Sequence, residues 1–145
     1  MNIRPTLADP AGQQIADRVA ADLAAELEQA GLASDADGYD RRFAADILWG
    51  SPFGATVTGY PTLNAIHHRL MTTKVAPASH FEVVAALSPA PGVVITQIRR
   101  RSADPAGFSE IAMYTLVERD GDWWLAAAQN TPVELARSPL AASGN

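Results

Sequence analysis

Apolar residues recur at helical spacing early in the chain and at strand spacing late in it. From Gln13 to Ala30 they fall at Ile15, Val19, Leu23, Leu27 and Ala30, which is one stripe of an amphipathic helix. Gly31 suits its C-terminal stop. Ser34 and Asp35 are cap candidates for a second short helix over Ala36 to Ala45, on which Tyr39 and Phe43 stand one turn apart. Ile47, Leu48 and Trp49 read as a short strand, Gly50-Ser51-Pro52 as a turn, and Phe53 to Thr58 as a second strand broken by Gly59. Pro61 fits the first turn of a third helix running to about Thr73, with Leu63, Ile66, Leu70 and Met71 as its stripe.

Four β-like runs follow: Ser79–Ser88, Val93–Arg101, Glu110–Glu118 and Trp123–Thr131. Pro89-Ala90-Pro91-Gly92, Asp104-Pro105-Ala106-Gly107 and Asp120-Gly121-Asp122 separate them. Such short connections imply an antiparallel meander. Pro132 ends the last strand because it has no N–H to donate. The expected fold is α+β: about three N-terminal helices on one face of a strongly curved antiparallel sheet, two short strands plus a four-strand meander. Residues 1–12 are expected to be a flexible arm, 13–135 a single domain and 136–145 a flexible tail.

The last two strands are apolar on both sides, with Trp123, Leu125 and Ala127 opposed by Trp124, Ala126 and Ala128. A sheet wet on one face alternates apolar with polar residues. Something is therefore expected to cover the second face, and a second copy of the chain is the natural candidate. Trp124, Ala126, Ala128 and Asn130 would form that dimer face.

The 145 residues suffice for one core. A net charge of −5 argues against binding nucleic acid through a phosphate-neutralising surface, and Arg99-Arg100-Arg101 is too short to reverse this. There is no cysteine, so disulfides, thiolate catalysis and zinc–thiolate sites are excluded. The opening MNIRPTLADPAG has no signal-peptide apolar run, and no window approaches the ~18 apolar residues of a membrane span. A cytoplasmic protein without membrane contact is expected.

Several residues in this order carry a family likeness. They are Phe43-Ala44-Ala45-Asp46 before a strand with Trp49, then Pro52-Phe53-Gly54, then Gly59 before a helix with His67-His68-Arg69, and finally Gly121-Asp122-Trp123 and Asn130-Thr131-Pro132. With these the chain resembles a nuclear-transport-factor-2-like domain over roughly Gln13 to Val133. Within that superfamily it resembles the SgcJ/EcaC-type bacterial branch of the SnoaL-like, ketosteroid-isomerase-like proteins. The resemblance implies a cone-shaped fold, a ligand pocket between helices and concave sheet, and a dimer through the convex face. Its members isomerise, cyclise, hydrate, dehydrate or only bind, so function must come from the site. The isomerases' carboxylate base falls at Ser51, their first-helix tyrosine has no counterpart, and their protonated aspartate falls near Tyr114. Steroid-type isomerisation is therefore not expected. An epoxide hydrolase of this fold needs an Asp-Arg-Asp set, and Arg99 has no strand aspartates beside it.

His67, on the third helix's apolar stripe, is a candidate general acid or base, and Asp46 a candidate carboxylate partner. Equally, His67 could be a hydrogen-bonded wall residue and Asp46 a backbone cap. His68 points about 100° away, and either histidine could face the pocket. Tyr39, Phe43, Trp49, Phe53 and Met71 are candidate pocket walls or core. Gln97, Arg99, Tyr114 and Gln129 are the polar strand residues that a ligand could reach if they face inward. By strict alternation Gln129 would face inward and Asn130 the dimer side; Arg99 could instead pair with Glu110 or Glu118. Adjacent histidines diverge on a helix, so no metal site is expected, and no nicotinamide or flavin fingerprint implies a cofactor. Two functions fit: a dimeric pocket protein for a small apolar organic molecule, with or without acid–base catalysis of the isomerase, cyclase or dehydratase type, and a non-catalytic accessory or protein-interaction module using the exposed sheet face.

Overall fold

In the computed structural model, which describes residues 3–73, 78–104 and 109–134, the chain begins with a 3-10 turn, Pro10–Gly12, and α1, Gln13–Leu32. There follow α2 (Ala36–Tyr39), β1 (Phe43–Gly50), β2 (Thr56–Thr58), α3 (Tyr60–Thr72), β3 (Ser79–Ala90), β4 (Val93–Ser102), β5 (Glu110–Arg119) and β6 (Asp122–Pro132). The second helix is one turn long, not ten residues. Asp35 caps it by accepting from the Gly38 N–H, and the chain straightens at Phe43, which opens β1. β-branched and aromatic residues from Phe43 to Trp49 favour a strand over a continued helix. The tail 136–145 and most of the Asp104–Gly107 turn lie outside the described residues. Near the N-terminus, the Asp9 N–H donates to the Ser88 carbonyl, which ties the arm to β3.

The six strands form one sheet in the order β2-β1-β6-β5-β4-β3. β3 to β6 are the expected meander, and β1 with β2 is a short hairpin. One junction departs from the antiparallel expectation: β1 runs parallel to β6, with Phe43 opposite Leu125 and Trp49 opposite Ala128. α1 packs across β3 and β4, and α3 covers β1 and β2, so the helices form one layer and the sheet another. Between them sit Leu23, Leu27, Ile47, Leu63, Val94, Ile98, Leu116 and Leu125, each at most 1% exposed. On α1 the buried stripe is Ala16, Val19, Leu23, Leu27 and Ala30. Ile15, expected there, is 41% exposed because Ala16 takes the inward position.

A β-bulge in β6 decides which side chains face the helices. Leu116 pairs with Leu125 and Thr115 with Ala127, so Ala126 is extra. Beyond it the alternation is reset. Ala128 and Asn130 are buried on the helix side, and Ala127 and Gln129 turn to the outer face. This corrects four expectations: Ala128 and Asn130 leave the outer face, and Ala127 and Gln129 leave the interior. Asn130 is satisfied inside, donating from Nδ2 to the Gly50 carbonyl at 2.8 Å.

Candidate functional site

α2 and α3 meet edge to edge, and polar side chains join them. On α2 and the residue after it, Asp37 and Asp40 are three apart, so they lie on one face. Opposite them α3 presents Asn64, His67 and His68. His67 Nδ1 lies 2.5 Å from Asp40 Oδ1, and His68 Nε2 lies 2.7 Å from Asp37 Oδ1. Asn64 Nδ2 donates to both acids, at 3.0 Å to Asp40 and 3.2 Å to Asp37.

The two pairs differ in burial. Asp40 is 0% exposed and the His67 side chain 11%, whereas Asp37 and His68 stand in solvent. The His68 hydrogen bond, helped by Asn64, holds the Asp37 carboxyl below its usual value. A carboxylate oxygen at Nδ1 calls for a proton there, so in the neutral ring Asp40 selects the Nδ1–H tautomer and leaves Nε2 as the acceptor. Nε2 has no hydrogen-bond partner among the described residues.

Rings surround this imidazole. Tyr39, Phe43 and Trp49 meet it edge to face, with centroids at 5.2, 5.9 and 6.1 Å. Phe81 continues the cluster, 6.3 Å from Tyr39. Tyr114 faces the same interior from β5 and is buried. Burial pushes the Tyr39 and Tyr114 hydroxyls well above the usual phenol range, so both remain proton donors. Neither hydroxyl has a hydrogen-bond partner among the described residues. The arrangement can hold a proton at Nε2 and offer phenol donors to an oxygen, beside rings that suit an apolar body.

Several expected residues lie elsewhere. Asp46 sits in the irregular stretch of β1 on the outer side and is exposed, so it does not meet His67. Its place is taken by Asp40, which sequence reasoning missed. The available signal was the Asp37-x-x-Asp40 spacing one turn apart, facing a helix that carries Asn64 and the two histidines. Phe53 is on the turn and 84% exposed, so it walls nothing. Gln97 faces outward opposite Met113. Arg99 also faces outward, 3.9 Å from Glu82 and not from Glu110 or Glu118. Met71 is half-buried near the end of α3, and His68 is exposed. Trp124 is on the outer face as expected, 37% exposed.

Two clefts open at the sheet. One, of about 710 Å³, runs from Asp40, Phe43 and Tyr60 on the helix side to Val117 and Trp124 on the outer face. The other, of about 280 Å³, lies over Leu48, Met113, Thr115 and Ala127. Among the described residues no group of three or more metal-ligating side chains is present, and no helix is long and apolar enough to cross a membrane.

No protein-family model matches the chain, and no curated protein matches it in sequence. Solved structures match its fold. A domain of unknown function with a cystatin-like fold from Nostoc punctiforme PCC 73102 superposes with a TM-score of 0.72 at 14% identity, over 85% of this chain and 81% of that one. An NTF-2 like protein of unknown function from Shewanella oneidensis MR-1 gives 0.67 at 16% identity, over 79% and 97%. An uncharacterized protein with a cystatin-like fold from Caulobacter vibrioides gives 0.63 at 20% identity, over 92% and 95%. The chain therefore has the nuclear-transport-factor-2-like, cystatin-like α+β fold.

Proposed function

We propose that this protein binds a small, mostly apolar organic molecule against the aromatic cluster. We further propose that the Asp40–His67 pair moves a proton on that molecule, in a reaction of the isomerase, cyclase or dehydratase type. The observation that carries the reading is a histidine held by a fully buried carboxylate at 2.5 Å, with its other nitrogen unengaged by the described residues. Nε2 is not among the buried unpartnered atoms of the described residues, so it opens onto accessible space where a ligand can meet it. Asp40 orients the ring and offsets the charge that develops when Nε2 takes a proton, while Tyr39 and Tyr114 can donate to an oxygen of the substrate. The SgcJ/EcaC-type resemblance is compatible with this reading and does not choose among the reactions.

The test is a ligand screen by thermal shift, repeated with His67→Gln. Apolar aromatic ligands should raise the melting temperature of both proteins, because they bind only the folded state. Turnover of any bound compound should be lost in His67→Gln while its binding survives. A broad screen with no shift overturns the binding reading, and undiminished turnover in His67→Gln overturns the catalytic one.

A homodimer through the outer sheet face belongs to the same proposal. Leu48, Met113 and Trp124 are 53%, 48% and 37% exposed there, which is costly surface to leave in water.

A further inference from the structure

On the inner face of β4, Val94, Thr96 and Ile98 are each at most 1% exposed, and the next inward residue is Arg100. Its register neighbours are Phe81 on β3 and Glu110 on β5. Phe81 touches Tyr39, which in turn touches His67. Arg100 therefore lies on the same wall as the proposed site. Its side chain is 18% exposed and that of Glu110 15%.

The guanidinium is poorly used by the protein. Nε sits 3.0 Å from Glu110 Oε1, close enough for an ion pair, but off the line of a directed hydrogen bond. No other hydrogen bond from its five N–H groups to a described residue is present. Only Nε is buried without a directed partner, so the Nη groups reach accessible space, where a ligand can take their donors.

We propose that Arg100 is the anchor for a carboxylate, and that the molecule taken up by this site is an organic acid with an apolar, ring-bearing body. This rests on the pocket reading above and narrows it. The planar guanidinium fork matches a carboxylate with two parallel hydrogen bonds, and the electrostatic influence of Arg100 reaches the Tyr39 and Tyr114 hydroxyls, which can add donors. A phosphate suits the site less well. Its two negative charges, with those of Asp40 and Glu110, would set four against one cation, where a carboxylate sets three. Glu110 competes for Arg100, and burial holds its carboxyl above the usual range although Arg100 draws it back.

The experiment is calorimetric titration with benzoate, 2-naphthoate and indole-3-acetate, each against its primary amide, on the full chain. At least one acid should bind about ten-fold more tightly than its amide, the size of a charge-assisted hydrogen-bond pair. Arg100→Gln should bring that acid down to the amide's affinity. Glu110→Gln should tighten the acid several-fold and leave the amide unchanged. If acid and amide bind equally, the carboxylate anchor is wrong and the apolar pocket stands. If no member of any pair binds, both fall. If Arg100→Gln does not fold, Glu110→Gln decides, and an unchanged acid-to-amide ratio there overturns the proposal.

Discussion

His67 and Asp40 are 27 residues apart in the chain and touch through a single pair of atoms, Nδ1 and Oδ1, at 2.5 Å. The contact makes α2 and α3 one unit, and it dictates where the imidazole proton sits. In its neutral form His67 should appear by nitrogen-detected NMR as the Nδ1–H tautomer. Finding Nε2–H as the main form would break the link between Asp40 and proton transfer. His67→Ala should destabilise the fold by about 1–3 kcal/mol, because the buried Asp40 loses one donor and keeps Asn64. Chemical unfolding measures it directly.

The sequence discloses the strands and long helices well because their patterns are local. Leu23 and Leu27 must face a core to be buried, and Asp120-Gly121 forms the expected hairpin turn, with φ of 52° and 84°. Side-chain facing after Ala126 was not legible. A bulge adds one residue without altering composition, so nothing in Trp123–Asn130 separates strict alternation from a reset one. Asp40 was missed for a related reason. Its partner is set by how α2 packs on α3, and a helix that ends at Tyr39 instead of Ala45 moves the acid from a helix face to a corner.

Asn130 tests the reset alternation. Asn130→Ala removes the donor to the Gly50 carbonyl and leaves a buried acceptor unmet, which should cost about 1–3 kcal/mol. Gln129→Ala, on the outer face, should cost within about 0.5 kcal/mol. Equal effects would place the two side chains on the wrong faces.

Leu125 joins the two halves of the core, opposite Phe43 on β1 and Leu116 on β5. It is 0% exposed. Leu125→Ala should cost about 3–5 kcal/mol, through lost transfer energy and the cavity left behind. A value near 1 kcal/mol in denaturant titration would mean that the interior collapses to fill the gap.

Glu26 receives Arg41 and Arg42 from the segment leading into β1, with Arg42 Nε at 2.5 Å and Nη2 at 2.9 Å. Burial alone would raise this carboxyl. The hydrogen bond and charge of Arg42, then those of Arg41, outweigh it and hold the group below its ordinary 4.5. A depressed folded value means the stabilisation is complete above about pH 4.5 and disappears as pH falls through the lowered value. The stability gap between the wild type and Glu26→Gln should therefore be constant near neutrality and shrink in acid. A gap that widens below pH 4.5 would reverse the sign of the assignment.

Trp124 tests the proposed dimer. Sedimentation of the wild type should show a two-chain species, and Trp124→Glu should move it to a monomer, because a carboxylate cannot be buried unpaired between two sheets. A wild type that sediments as a monomer at high concentration would remove the dimer from the proposal.

The parallel seam between β1 and β6 has a temporal meaning. Among the described residues, β1 and its hairpin partner β2 join the rest of the sheet only through β6, the last of the six strands. The hairpin and the α3 that covers it can dock on the rest of the sheet only once residues past Asp122 have been made. Non-local closure of this kind slows folding. A chain cut short after Asp120 would keep α1 on β3 and β4 and lose the seam that holds β1, β2 and α3 to them.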